Sequence, residues 1–227
     1  KVVSSNADFG IAVDPDVDRL AFMDEKGIMF GEEYTLVACA DYILSQRPGN
    51  TVSNLSSTRA LRDITEKYGG SYTASAVGEV NVVNAMKATK AVIGGEGNGG
   101  IIYPESHYGR DALVGVALFL SLLAERKISV SALRASYPSY FMGKKKIDLN
   151  PSIDVDAILV AMEAKYAHEQ ISTIDGVKID FATQWVHLRK SNTEPIIRIY
   201  TEAPSQEAAD VLGDKIISEI KAVAGIY

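Results

Sequence analysis

Between residues 51 and 94, short apolar stretches of strand length alternate with stretches of helical spacing, and this alternation limits the possible folds more than any other feature of the chain. Residues 51–55 read as a strand, 59–68 as a helix closed by Gly69 and Gly70, 71–76 as a strand, 79–88 as a helix and 91–94 as a strand. Ahead of them Leu36, Val37, Ala40, Ile43 and Leu44 recur at helical spacing, and Arg47, Pro48 and Gly49 end that helix. A βαβαβ order implies a parallel sheet covered by helices, because parallel neighbours need a crossover connection. In such sheets ligands collect beyond the carboxyl ends of the strands. Loops that follow strands are therefore where chemistry is expected.

The pattern changes near Tyr137 and Pro138. Ser152 is expected to cap a helix in which Ile158, Met162 and Tyr166 share a face, and Asp175-Gly176 then turns into the alternating Val177, Ile179 and Phe181. Residues 185–189 and 196–201 read as two more strands, and a helix from Ser205, with Leu212, Ile216 and Ile220 aligned, ends at Gly225. The expected fold class is thus a parallel-sheet α/β domain followed by a smaller α+β domain with a mainly antiparallel sheet. Residues 112–124 are the most apolar segment, but a membrane span needs ~20 such residues, so they read as a buried helix and no membrane contact is expected.

With 29 acidic against 23 basic residues the chain lacks the basic surface that a nucleic-acid backbone demands. The basic run Lys144, Lys145 and Lys146 reads as a solvated loop. Cys39 is the single cysteine; it lies inside an apolar helical pattern, which points to packing, and it excludes an intrachain disulfide. No leader-like segment opens the chain, so a cytoplasmic protein is expected. The chain starts at Lys1 and runs within a few residues into a strand-like stretch, 9–13, which reads as part of something longer.

Three loops carry chemistry. Where the first strand runs out stand Asp14, Pro15, Asp16, Val17, Asp18 and Arg19. Three carboxylates at alternate positions repel one another unless a cation sits among them. Oxygen donors of this kind suit a hard divalent ion such as Mg²⁺, with positions left open for a phosphate. An EF-hand fails, because Arg19 stands where the sharp turn needs Gly and a strand precedes the loop. A phosphatase with an aspartyl nucleophile stays open as an alternative, although it leaves the third carboxylate unexplained.

The second loop, residues 94–100, follows the strand at 91–93 and matches G-x-G-x-x-G at Gly95, Gly97 and Gly100. A dinucleotide fingerprint must open a helix. Here Ile101, Ile102, Tyr103 and Pro104 follow, and Glu96 would face the phosphates, so the match is set aside. The better use is a close backbone approach to a ligand at Gly97 and its neighbours, with Glu96 accepting two sugar hydroxyls and Asn98 offering a donor and an acceptor. A purely structural glycine turn is the competing reading.

The third loop, residues 189–195, lies between two strands of the smaller domain. Arg189 can clasp a phosphate bidentately, while Ser191, Asn192 and Thr193 complete a polar nest. The same residues also make plain turns. His107, His168 and His187 read as structural or surface residues, and Arg110-Asp111 as an ion pair and helix cap ahead of the apolar helix.

In this order and spacing the three loops resemble the metal-binding, sugar-binding and phosphate-binding loops of the alpha-D-phosphohexomutase superfamily, the phosphoglucomutases, phosphomannomutases and phosphoglucosamine mutases. D-x-D-x-D-R and R-x-S-N-T-x-P together carry the resemblance, which covers the whole chain. It implies that residues 1–26 end a second mutase domain bearing the metal loop, that 27–137 form an α/β sugar-binding domain and that 138–227 form a C-terminal phosphate-binding domain. It further implies Mg²⁺ on Asp14, Asp16 and Asp18, Arg19 on the reacting phosphate, Glu96 with Gly97 and Asn98 on the sugar, and Arg189, Ser191, Asn192 and Thr193 on the other phosphate. Glu79 and Asn81 stand where such proteins carry a specificity loop.

The implied activity is a phosphotransfer isomerisation of hexose 6-phosphate and hexose 1-phosphate through a phosphoserine and a bisphosphate. The sugar loop departs from the common G-E-x-S-G-H, with Asn98 and Gly100 in place of Ser and His, and no stretch resembles the phosphoserine loop. The resemblance therefore implies a C-terminal fragment whose partners are a phosphorylated hexose and the missing N-terminal mutase domains. A non-catalytic phosphosugar-binding module is the alternative.

Overall fold

The structure, a computed structural model, describes residues 1–150, 153–191 and 194–225. The chain divides into two compact units, Lys1–Pro138 and Ser139–Tyr227.

The first unit opens with a single turn, α1 (Val2–Ser5), and an antiparallel hairpin of β1 (Gly10–Val13) and β2 (Leu20–Met23). The acidic loop is the connection of that hairpin. There follow α2 (Glu32–Gln46), β3 (Thr51–Asn54), α3 (Ala60–Lys67), β4 (Tyr72–Ser75), α4 (Glu79–Thr89), β5 (Ile93–Glu96), β6 (Gly100–Ile102), α5 (Ala112–Arg126) and α6 (Val130–Ala135). The sheet order is β4-β3-β5-β6, with β3 parallel to β4 and β5 and with β6 antiparallel to β5. Helices cover both faces: Val52 packs with Val82 and Met86 of α4, while its neighbour Thr51 meets Thr65 of α3 at 2.6 Å. All of β3 is buried, as a central parallel strand requires.

Two readings change here. The third parallel strand runs on to Glu96, so the glycine segment is a β-hairpin whose turn is residues 97–99, rather than a loop beginning at Gly94. Glycine is needed at 94 for packing: a Cβ there would sit 2.6 Å from Met86 Sδ and 2.7 Å from the Val52 carbonyl. The apolar helix α5 buries only one face, with Phe119 stacked on Phe22 at 3.7 Å, while Leu113 is 67% exposed on the other.

The second unit is an antiparallel sheet ordered β7-β11-β10-β9-β8, built from β7 (Phe141–Asp148), β8 (Gln170–Ser172), β9 (Val177–Asp180), β10 (Trp185–Lys190) and β11 (Ile196–Ala203). Helices α7 (Val155–Lys165) and α8 (Gln206–Ala224) close one core with it, around Met162, Ile179, Val186, Ile199 and Ile216. Ser205 caps α8 through Ala208 N, and Gly225 ends it in a left-handed conformation. Ser152 lies outside the described residues; the cap of α7 is Asp154, whose carboxylate accepts from the amides of Asp156 and Ala157. Lys144, Lys145 and Lys146 belong to β7 rather than a solvated loop. They pair against β11, and Lys145 Nζ donates to the Asp210 carbonyl at 3.1 Å. Among the described residues no helix is long and apolar enough to cross a membrane.

Candidate functional site

In the acidic loop, Asp14 is an organising side chain as well as a candidate ligand. Its Oδ1 accepts from the backbone amides of Asp18 at 3.2 Å and Arg19 at 3.0 Å. The Arg19 amide holds the Asp14 carboxyl below the usual carboxylate range. Between them Val17 is forced to φ 58°, a left-handed conformation that a β-branched residue rarely takes. Loops keep strain of this kind where the surroundings over-determine it. Here the Asp14 bonds and the Ala112 amide, which donates to the Val17 carbonyl at 3.2 Å, do so.

Asp14, Asp16 and Asp18 can each present an oxygen within 4.8 Å of the others. Asp18 Oδ1 is buried and accepts no hydrogen bond. Burial raises the Asp18 carboxyl pKa, against the pull of Arg110. An orphaned oxygen beside two more carboxylates fits a small hard cation such as Mg²⁺. Arg19 is half exposed, its Nε 3.4 Å from Asp14 Oδ2 and 3.7 Å from Asp18 Oδ1.

The glycine hairpin lies against this loop. Leu20 N donates to the Gly99 carbonyl at 3.1 Å, and Gly99 takes φ 85° to present it. Glu96, at the end of β5, is 5% exposed. Its Oε1 accepts from Asn54 Nδ2 at 2.9 Å and from Gly78 N at 3.3 Å, and its Oε2 accepts from Arg110 Nη1 at 2.9 Å. A carboxylate has about four acceptor positions, so Oε2 has room for one further donor. The Gly97 amide donates to Ser57 Oγ at 2.9 Å, and Asn98 Oδ1 accepts from Gly100 N at 3.2 Å.

Arg110 is the residue whose place sequence reasoning missed. Its pairing was expected within the dipeptide; instead Asp111 alone caps α5, through Leu113 N and Val114 N. Arg110 turns away to Asp18 Oδ2, to Glu96 Oε2 and, with Nε at 3.3 Å, to Glu79 Oε2. No local pattern signals these partners. Asn81 Nδ2 donates to the Val77 carbonyl at 2.9 Å, an intrahelical-type bond at the start of α4. His107 Nε2 lies 3.0 Å from Asp111 Oδ2, His168 is at the surface, and His187 is a core residue.

In the second unit Arg189 is the next-to-last residue of β10, its Nε 2.9 Å from Asp175 Oδ2. Ser191 is buried, and its amide donates to the Ile196 carbonyl at 3.1 Å, which closes the loop. Asn192 and Thr193 lie outside the described residues.

Two family models match the chain, "Phosphoglucomutase/phosphomannomutase, alpha/beta/alpha domain III" over residues 23–140 and "Phosphoglucomutase/phosphomannomutase, C-terminal domain" over residues 145–219. A probable phosphoglucosamine mutase of Methanopyrus kandleri is 33% identical over 97% of this chain and 49% of its own length. The crystal structure of a phosphoglucomutase/phosphomannomutase family protein from Burkholderia thailandensis matches with a TM-score of 0.83 at 26% identity, over 98% of this chain and 48% of that one. An N-acetylphosphoglucosamine mutase of Aspergillus fumigatus, solved in complex with GlcNAc-6P and magnesium, shares the fold at 15% identity and a TM-score of 0.67, over 95% of this chain and 49% of that one. The chain thus spans about half the length of the proteins it matches.

Proposed function

Because the chain belongs to the phosphoglucomutase/phosphomannomutase family, we propose that it is the C-terminal part of a phosphohexomutase, supplying the metal, sugar and phosphate contacts for interconversion of hexose 6-phosphate and hexose 1-phosphate. The phosphoserine belongs, on this reading, to mutase domains outside this chain. The observation that carries the proposal is the meeting of two predicted loops in one unit: Asp18 and Glu96 share the guanidinium of Arg110.

Each residue then has a task. Asp14, Asp16 and Asp18 would hold Mg²⁺, which when bound supplies positive charge against the phosphoryl oxygens. Arg19, half exposed beside that loop, is free to swing to the reacting phosphate. Glu96 would accept one sugar hydroxyl at Oε2, and Gly97 and Asn98 would line the approach. In the second unit Arg189, oriented by Asp175, would grip the phosphate that is not transferred, together with Ser191, Asn192 and Thr193. Phosphoryl transfer depends mainly on positioning and charge neutralisation, and these residues provide both. Contacts to phosphate and shared hydroxyls leave glucose, mannose and glucosamine phosphates as the candidate substrates.

Calorimetric titration of the chain with each of the three hexose 6-phosphates in Mg²⁺, beside a mutase assay with glucose 1,6-bisphosphate present, tests the proposal. Binding without turnover is expected. Turnover by the chain alone would show that the serine is not elsewhere. Release of inorganic phosphate that stops in Asp14→Asn would instead favour an aspartyl phosphatase.

A further inference from the structure

Arg110 takes no part in the chemistry above, yet it is the most heavily engaged cation of the site. Its side chain is 16% exposed. Asp18, Glu79 and Glu96 meet its guanidinium, Arg19 lies by Asp14 and Asp18 with Asp16 close to both acids, and of these two arginines only Arg110 touches both loops. Its backbone is fixed on both sides: Arg110 N donates to Glu79 Oε1 at 3.1 Å, and Asp111 N donates to the Ile101 carbonyl at 2.9 Å. A planar guanidinium with five donors can serve three carboxylates at once, whereas a lysine ammonium offers neither the fork nor the span.

One consequence follows from charge. A divalent ion held by Asp14, Asp16 and Asp18 would draw on the same Asp18 carboxylate that Arg110 now neutralises. Asp18 would then attract the guanidinium less, and Glu96 and Glu79 would take a larger share of it. Resting on the proposed metal and sugar loops, we propose that Arg110 is a positioning residue that couples them, so that uptake of a divalent cation by the aspartates resets the hold on Glu96. A shared side chain of this kind is a physical route for coupling, and any effect of the metal on Glu96 is returned by a ligand on Glu96 to the metal.

Nitrogen–proton correlation spectra recorded on the chain during a Mg²⁺ titration test this. In the wild-type protein the amides of Asp14, Asp16, Val17, Asp18 and Arg19 shift, and those of Gly78, Glu96 and Gly97 shift with the same apparent affinity. In Arg110→Met the first set shifts and the second set does not. Gly100→Ala gives the same loss without changing any charge, because its Cβ would lie 2.5 Å from Arg110 Cδ and push the side chain aside. That variant keeps the test decisive if Arg110→Met does not fold. Arg110→Lys restores the charge but not the coupling. Shifts at Glu96 and Gly97 that survive in Arg110→Met or Gly100→Ala would overturn the coupling role, as would their absence in a wild-type chain whose residues 14–19 respond. Silence at residues 14–19 themselves would overturn the metal reading and this inference with it.

Discussion

Arg126 Nη2 lies 2.7 Å from Asp41 Oδ2, a carboxylate with no solvent exposure at all. Tyr137 Oη donates to the same oxygen at 2.8 Å, and Tyr68 Oη donates to Oδ1 at 2.8 Å. The cluster ties α2 to α5, to the end of α3 and to the segment that closes the first unit. Asp41→Ala strands a partly buried guanidinium and two hydroxyls, so it should cost about 3 kcal/mol, read as a fall in the urea midpoint of the first unit. A loss below about 1 kcal/mol would mean that water replaces the carboxylate freely.

The aspartates of the acidic loop should differ in what they cost. Asp16→Ala removes one donor and should weaken Mg²⁺ binding by roughly tenfold or more, since even outer-shell partners are worth that much. Asp14→Ala should do more, because it also releases the amides of Asp18 and Arg19 and frees the Val17 turn. Titration calorimetry on the two variants checks the order; equal losses would show that Asp14 has no organising part.

His187 should make the second unit sensitive to mild acid. It is 1% exposed, and burial pushes its pKa down from 6.5 to about 4. Above pH 6.5 neither state carries the proton. Below it the unfolded chain takes one that the folded chain refuses, so stability falls as pH drops towards 4, by about 3 kcal/mol in all. His187→Leu should flatten the slope of stability against pH between 6.5 and 4.5, before carboxylates add their own; an unchanged slope would refute the assignment.

Gly94→Ala should be severe although its site is a plain strand. The added methyl meets the Val52 carbonyl, which cannot move without breaking the sheet, and overpacking of this kind costs about 1–3 kcal/mol or more. Thermal unfolding reads it directly, and a neutral effect would show that both β3 and α4 can give way to the methyl.

These glycines show where the sequence is legible and where it is not. The alternation over residues 51–94 gives both helices and the first two parallel strands to within a residue at each end, and the third displaced by two, since one helical face or one buried strand leaves a local signature. Gly94 reads as the start of a loop because glycine favours turns, yet tertiary crowding put it there. The strand β7 is hidden for the opposite reason. Lys144, Lys145 and Lys146 look solvated, while Gly143 and Ile147 are buried in the ladder with β11. At the site, Asp14, Asp18 and Glu96 announce themselves by spacing after strands. Arg110 does not, because its carboxylate partners come from a loop, the start of α4 and the end of β5, and no period links them.

The cap of α5 has a consequence of its own. Asp111 fastens the first turn of that helix by two amides, while its own amide is pinned to Ile101, so the residue before it has almost no freedom of placement. The helix start thereby serves as a datum from which the arginine is measured out. Inserting a single residue between Arg110 and Asp111 would take the arginine off the place that the cap and the Ile101 bond fix for it. All three acids would be left facing one another with their common counterweight gone, even though none of them had been touched.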